Sequence, residues 1–259
     1  MTILTFNKYQ GAGNDFVMVD NRAFQVDPSD NSLINKLCDR RFGIGADGLI
    51  LISGNKEFDY EMKYFNADGY IGSMCGNGGR CTARFAYELG IAGRNQKFLA
   101  FDGMHEAVVE EDIIRLQMRD VANPALIDGN YFMNTGSPHY VIFGKNIDSV
   151  DVTSEGRKIR YSPKFAPGGT NVNFVEVIDD GIYVRTYERG VEDETLACGT
   201  GVTASAIASV LKGHFDTNDI NIRARGGNLN VKMEISEERI SNIWLSGPAT
   251  FVFKGEIEI

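Results

Sequence analysis

The sequence predicts an α+β fold made of two similar lobes. Three observations carry that expectation. Short strand-like runs separated by turn residues outnumber helical patterns, so sheets dominate. The motif Cys-Gly-x-Gly occurs twice, at Cys75 and Cys198, and each copy leads at once into a helix-like stretch. A glycine closes each stretch, Gly90 and Gly213, and both the cysteines and the glycines lie 123 positions apart. Gly13 and Gly136, Phe42 and Phe165, and Gly103 and Gly226 keep the same offset.

In chain order the first half opens with the strand-like run "FVMVD" at 16–20. A helix follows near 30–41, where Asp27-Pro28-Ser29-Asp30 is a start signal. The runs "LILIS" (49–53) and "YEMKYF" (60–65) precede the Cys75 helix, and "KFLAF" (97–101) and "IIRLQM" (113–118) follow it. The second half repeats the plan with "HYVIF" (139–143), "VNFVEV" (172–177) and "GIYVRTY" (181–187). The Cys198 helix comes next, and then "LNVKMEI" (229–235) and "NIWLSG" (242–247). Its sequence, "GVTASAIASVL", is apolar or small all round and belongs inside a structure, wrapped by sheet. The Cys75 helix carries Arg80, Arg84 and Glu88 on one stripe, so part of it reaches solvent or a polar neighbour.

Composition sets the outer bounds. With 259 residues, 43% of them hydrophobic and 24% charged, the chain is globular and long enough for a large core. A formal charge of −9 argues against nucleic acid or an anionic membrane as partner, since both need a basic surface. The amino-terminal residues show no charged-then-apolar signal pattern, and the longest uncharged stretch, 195–211, is too short and polar for a membrane span. Four cysteines form no CxxC pair, so a cytoplasmic location with reduced thiols is expected. The histidines, at 105, 139 and 214, match no metal-ligand spacing.

The chemistry lies in the two cysteine motifs. A helix that starts beside glycines points free N–H groups at whatever stands in front of it, a ready anion site. The same field stabilises a thiolate. Cys38 and Cys81 read as inert core residues, Cys81 because it lies inside its helix. Cys75 and Cys198 sit at equivalent places in two similar lobes. If the lobes face each other, one thiolate and one thiol can remove and return a proton on opposite faces of a single carbon. That is racemase or epimerase chemistry without a cofactor, with the helix starts caging the substrate carboxylate. "GIGADG" (43–48) matches GxGxxG, but a strand-like run follows it where a dinucleotide site needs a helix, so a nucleotide reading is rejected.

Together, "GAGNDFVMVD", "GIGADGLI", "FNADG", "MCGNGGRC", "GGTNVNFVEV" and "YERGVEDETLACGTG" resemble the diaminopimelate epimerase family across nearly the whole chain. The resemblance implies two pseudosymmetric lobes, each a curled mixed or antiparallel sheet around a central helix, with the active site in the cleft between them. The lobes are expected to take residues 1–118 plus 250–259, and 119–249. It implies no pyridoxal phosphate and no metal, a small amino-acid substrate, and a homodimer. Cys75 and Cys198 would be the acid–base pair that inverts one α-carbon of LL-2,6-diaminopimelate to the meso isomer, for lysine and peptidoglycan synthesis. Gly76, Asn77, Gly199 and Thr200 would hold the reacting carboxylate. Asn14, Asn66, Asn171, Glu188 and Arg189 would hold the remaining charged groups, Arg189 suiting a bidentate carboxylate clamp.

Two departures from the family pattern bear on single contacts. Ser137-Pro138-His139 stands where many members have Asn-Pro-His, which puts ligand contact at Ser137 in doubt and leaves His139 a neighbour of the site or a packed histidine. Gly48 stands where some members use a ligand-binding glutamine. The alternatives are a proline or hydroxyproline racemase, whose cyclic monocarboxylate needs no distal clamp, and a non-catalytic amino-acid binding or redox-responsive protein on the same scaffold.

Overall fold

The computed structural model describes residues 2–122 and 124–259, and its chain falls into two units, Met1–Leu116 with Gly247–Ile259, and Gln117–Ser246. The first contains β1 (Ile3–Gly11), β2 (Asn14–Asp20), α1 (Asn31–Cys38), β3 (Gly48–Ser53) and β4 (Tyr60–Asn66). It continues with α2 (Gly76–Glu88), β5 (Asn95–Ala100), β6 (Gly103–Val109) and β7 (Ile113–Gln117). The second contains β8 (Val121–Ala122), β9 (Ala125–Ile127), β10 (Asn130–Asn134), β11 (Pro138–Phe143), α3 (Val152–Arg160) and β12 (Asn171–Ile178). There follow β13 (Gly181–Glu188), β14 (Asp193–Thr195), α4 (Gly199–Leu211), β15 (Asp219–Ala224), β16 (Gly227–Ile235) and β17 (Arg239–Pro248). The strand β18 (Thr250–Glu258) returns to the first unit.

In the first unit the strands pair in the order β18, β1, β2, β3, β4, β5, β6, β7. Neighbours are antiparallel except β2 with β3 and β4 with β5. The second unit pairs β9, β10, β11, β12, β13, β15, β16, β17, β8, with β14 beside the end of β13. Its parallel pairs are β11 with β12 and β13 with β15, at the matching places. The sequence repeat is therefore a repeat of topology.

The apolar runs explain why these strands sit at the centre. β2 and β3 are buried on both faces, which is why they read as unbroken "FVMV" and "LILI". Val17, Val19, Leu49 and Leu51 pack with Ile34 and Leu37 of α1. On the opposite face of β3, Ile50 comes up against Gly78 of α2. The sheet wraps that helix, since α2 packs against β1, β2, β3, β4 and β6. In the second unit α4 packs against β10, β11, β12, β13, β15 and β16, and it is buried through most of its length, as its all-apolar surface predicts. Each central helix ends on a glycine in the left-handed region, Gly90 at φ 67° and Gly213 at φ 76°. The chain then closes back on the last turn through Ile91 N–H to Ala86 O at 2.9 Å and His214 N–H to Ser209 O at 3.0 Å.

Several details differ from the sequence reading. The polar stripe of α2 divides: Arg80 is fully buried, Arg84 is half-buried and donates to the carbonyls of Glu110 and Glu111, and Glu88 is exposed, accepting from Tyr9. Phe42 is exposed whereas Phe165 is buried, so that pair shares a position but no environment. Gly227, and not Gly226, opens the strand matching the one at Gly103, a slip of one residue. The helix α3 was not expected. Its sequence, "VTSEGRKIR", buries only Val152 and Gly156, too little for a periodic apolar signal. The legible mark was its cap, Asp151, which accepts from Ser154 N–H at 3.0 Å. Among the described residues no helix is long and apolar enough to cross a membrane.

Because Leu51 is fully buried between α1 and the sheet, Leu51→Ala is expected to cost about 2–5 kcal/mol in urea unfolding. A loss below about 1 kcal/mol would show that this layer is not a tight core.

Candidate active site

Both motif cysteines occupy the same local position. Cys75 caps α2 at φ −106°, ψ 118°, and Cys198 caps α4 at φ −112°, ψ 113°. Extended geometry at the cap turns each side chain toward the first free N–H groups of its helix. The Cys75 Sγ accepts from Gly78 N–H at 3.5 Å. For Cys198 no side-chain cap bond forms, and its Sγ instead lies 3.4 Å from Thr200 Oγ1. Cys38 and Cys81 are both pushed up to about 12 by burial, so they stay protonated and inert, as expected.

In the first unit, Asn14, Cys75 and Asn77 come together. Asn14 Oδ1 lies 3.5 Å from Cys75 Sγ and accepts from Asn77 Nδ2 at 3.4 Å. Its orientation is fixed from behind, because Asn14 Nδ2 donates to Asp47 at 2.6 Å. Asp47 in turn shares Arg40 with Asp15, at 2.7 and 2.6 Å, and Lys8 closes on Asp15 at 2.8 Å. Burial works against the Asp15 carboxylate, but Arg40 and Lys8 hold it well below the usual carboxylate range. Asn66 ends β4 opposite Gly48 and hydrogen-bonds to neither Asn14 nor Cys75 nor Asn77 among the described residues. Gly48 cannot carry a side chain here: a Cβ would stand 2.4 Å from Phe65 O and 2.5 Å from the Tyr64 ring.

The second unit makes two connected groups. In the first, Cys198 leads to Thr200, Thr200 Oγ1 lies 2.8 Å from His139 Nε2, and His139 Nδ1 lies 3.1 Å from Asn173 Nδ2. Asn173 Oδ1 accepts from Thr186 at 2.9 Å, and its Nδ2 also approaches Tyr140 O at 3.4 Å, so the amide orientation is determined. It follows that Nδ1 of His139 accepts and Nε2 carries the proton, donating to Thr200. The Thr200 hydroxyl hydrogen is then left for the Cys198 sulfur. Complete burial pushes His139 down to about 3; the Asn173 bond opposes that shift and repulsion from Arg189 adds to it. His139 is thus a buried neutral link in a polar chain.

In the second group Asn171, Ser137 and Arg189 lock together. Asn171 gives its two amide hydrogens to Ser137 Oγ at 2.8 Å and Pro138 O at 2.7 Å, and accepts from Arg189 N–H at 2.8 Å. Arg189 also reaches Ser137 Oγ at 3.4 Å. Asn171 therefore positions its neighbours and has no donor to spare, while Ser137 retains its hydroxyl hydrogen. Glu188 is half-buried at the end of β13.

The residues in these groups are matched across the repeat. At the 123-residue offset Asn14 corresponds to Ser137, Gly48 to Asn171, Asn66 to Arg189, and Asn77 to Thr200. Sequence reasoning did not identify Asn173, Thr186, Asp47 or a contribution from Arg80. The available signal was a polar residue at a strand position that should face the core, as in "VNFVEV" and "GIYVRTY". Among the described residues no cluster of three or more His, Cys, Asp or Glu could hold a metal ion.

A family model of diaminopimelate epimerase matches residues 6–112 and 131–252. A diaminopimelate epimerase of Flavobacterium psychrophilum is 51% identical over 96% of this chain and 98% of its own. This chain belongs to the diaminopimelate epimerase family. Solved structures extend the likeness of fold beyond that family. A phenazine biosynthesis protein of the PhzF family from Bacillus anthracis covers 100% of both chains at TM-score 0.79 and 14% identity. A probable proline racemase from Agrobacterium radiobacter K84 covers 99% of this chain and 93% of its own at TM-score 0.70 and 13% identity.

The neutral state of His139 has a pH signature. Unfolded, the ring protonates near its usual value of 6.5; folded, it resists until about pH 3. Its contribution is fully present above about pH 6.5 and is lost as pH falls toward 3. His139→Gln, which keeps one donor and one acceptor, is expected to flatten the stability curve between pH 6 and 4. An unchanged slope in urea titrations over that range would show that His139 is not the group responsible.

Proposed function

We propose that this diaminopimelate epimerase family member inverts one α-carbon of LL-2,6-diaminopimelate to give the meso isomer, using Cys75 and Cys198 as thiolate base and thiol acid without pyridoxal phosphate or a metal. Family membership supports the substrate. The chemistry is supported by one observation above all: both cysteines cap buried helices whose first residues are small.

An amino-acid α-proton is weakly acidic because its removal drives charge onto the neighbouring carboxylate. The N–H groups of Gly76, Asn77, Gly199 and Thr200 are suited to receive that charge. In one turnover a thiolate takes the α-proton, breaking the C–H bond and leaving the pair on the carboxylate-stabilised carbon. The other thiol then gives its proton to the opposite face and becomes the thiolate. The reverse reaction exchanges the two roles. The Thr200 hydroxyl, held by His139, would stabilise Cys198 in its thiolate form. Glu188 is suited to an ammonium group, and Arg189 with the Ser137 hydroxyl to the distal carboxylate, with Asn171 holding both in place. Asn14 and Asn66 would complete the polar lining.

The fold shared with a probable proline racemase keeps one second reading in play. Proline has a single carboxylate and would leave the Ser137, Asn171 and Arg189 group without a role. Incubation in D₂O decides between them. Solvent deuterium is expected at the α-carbon of diaminopimelate and not of proline, and the opposite result would move the assignment to proline. Cys75→Ala and Cys198→Ala are each expected to lower turnover in both directions by roughly 10²–10⁴-fold. Ligand binding without α-proton exchange in the unaltered protein would favour a non-catalytic binding role.

The cytoplasm, where thiols stay reduced, is the compartment this chemistry requires. We also assign the protein as a homodimer. Phe251, Val252 and Phe253 are exposed apolar residues on β18, the outermost described strand of the first unit, the kind of edge proteins cover. Val252→Glu is expected to shift the protein toward monomer in sedimentation, and a parent protein that is monomeric at micromolar concentration would overturn the assignment.

A further inference from the structure

Arg80 is the anomaly of the first unit. Its side chain is fully buried in the first two turns of α2, yet its hydrogen-bond partners among the described residues are all uncharged oxygens. It donates to Asn77 Oδ1 at 3.0 Å, to Gly76 O at 3.3 Å and to Pro248 O at 3.4 Å. No carboxylate among the described residues pairs with it. A buried guanidinium without an anion is costly, and this one stands at the positive end of a helix dipole, which makes the cost larger. At the matching place in α4 the chain carries Thr203, whose hydroxyl simply bonds back to Gly199 O at 2.9 Å. So the charge belongs to one cysteine's surroundings and not to the fold in general.

The candidates for the missing anion are few. Lys8, Asp15, Arg40 and Asp47, from β1, β2 and the loop before β3, neutralise one another. Glu88 is held by Tyr9 at the far end of α2, and His105 on β6 by Asp102 at 2.8 Å. Tyr60 on β4 bonds to Gln96 at 2.7 Å, and burial raises its hydroxyl well above the usual range. Burial pulls the Arg80 guanidinium down from its ordinary value, and negative charge at Cys81 and Cys75 opposes that. Cys81 stays a thiol, pushed up to about 12 by burial. That leaves Cys75, the half-exposed cap of the same helix.

We infer that Arg80 is a positioning residue for the acid–base reaction: its buried charge favours the thiolate of Cys75, and its bond to Asn77 Oδ1 turns the Asn77 amide nitrogen toward Asn14. Asn14 Oδ1, 3.5 Å from Cys75 Sγ, favours the protonated thiol. The two influences together let one sulfur both take and give a proton. The Cys198 side, built from Thr200, His139 and Asn173, reaches the same end with neutral groups. The thiols are thus electrostatically inequivalent on equivalent scaffolds. This rests on the assignment of Cys75 as an acid–base group, but its test reads the thiol itself and not turnover.

The test follows iodoacetamide alkylation of Cys75 and Cys198 against pH, each site read by mass spectrometry, in the full-length parent protein, Arg80→Gln and Arg80→Lys. In the parent the pH midpoint for Cys75 is expected below the ordinary thiol value of about 8.5. Arg80→Gln is expected to raise it by about one unit or more, with Arg80→Lys recovering much of the shift and Cys198 moving little. A folded Arg80→Gln protein with an unmoved Cys75 midpoint would overturn the inference, as would equal movement of both cysteines. An unmoved midpoint with only a raised KM would assign the charge to the substrate carboxylate instead, against the proposal. Should both variants fail to fold, a parent midpoint for Cys75 below that of Cys198, which caps an equivalent helix without the arginine, sustains the inference, and one at or above it overturns it. Loss of the epimerase reading would leave these midpoints as they are, so the two failures are distinguishable.

Discussion

A helix wrapped by sheet begins with N–H groups that are largely withdrawn from solvent. Everything in this molecule's chemistry follows from that constraint. In α2 and α4 the first residues are glycine and small polar residues, and most of them are buried from the outset. Their donors can be satisfied only by the chain's own cap or by an anion in front. A cysteine at the cap meets both conditions in turn, since a thiolate is itself an anion and a thiol leaves room for one.

The duplication supplies the same frame twice and then diverges in what it puts behind the sulfur. In the first unit the supporting groups are charged: Asp47 orients Asn14, and Arg80 orients Asn77. In the second they are neutral, a run of hydroxyl, imidazole and amide from Thr200 to Thr186. Where Asn173 and Thr186 lie in the second unit, the first has Ile50 and Lys63 at the corresponding positions. Backbone equivalence has been kept while the electrostatics has not. Such an arrangement suits a reaction whose two protons are handled by chemically identical groups in different surroundings.

The sequence made the fold class legible because the repeat carries its own check: cysteine and closing glycine recur at one spacing, and both helices end as that glycine requires. The central strands were legible because burial on both faces leaves no polar residue in "FVMV" or "LILI". The strands β1 and β18 were not, because each is stabilised by a partner nearly the whole chain away, and both carry polar and charged residues in their exposed positions. The cysteines and their flanking residues could be read from local pattern. The polar groups that stand behind them could not. His139, Asn173 and Thr186 come from three different strands, and only the parallel register of His139 with Asn171 brings the first two within reach. Arg80 was misleading for a different reason: a cation on a helical stripe is ordinarily a solvated one.

The pairing of β1 with β18 has a consequence for biosynthesis. The first unit is discontinuous: β18 and the residues just before it leave the ribosome only after every strand of the second unit has been made. Until then β1 lacks its neighbour along most of its length, from Ile3 to Gln10. Vectorial synthesis thus inverts the order suggested by numbering, with the second unit able to complete its hydrogen bonding while the first still waits, its edge open, for one late strand.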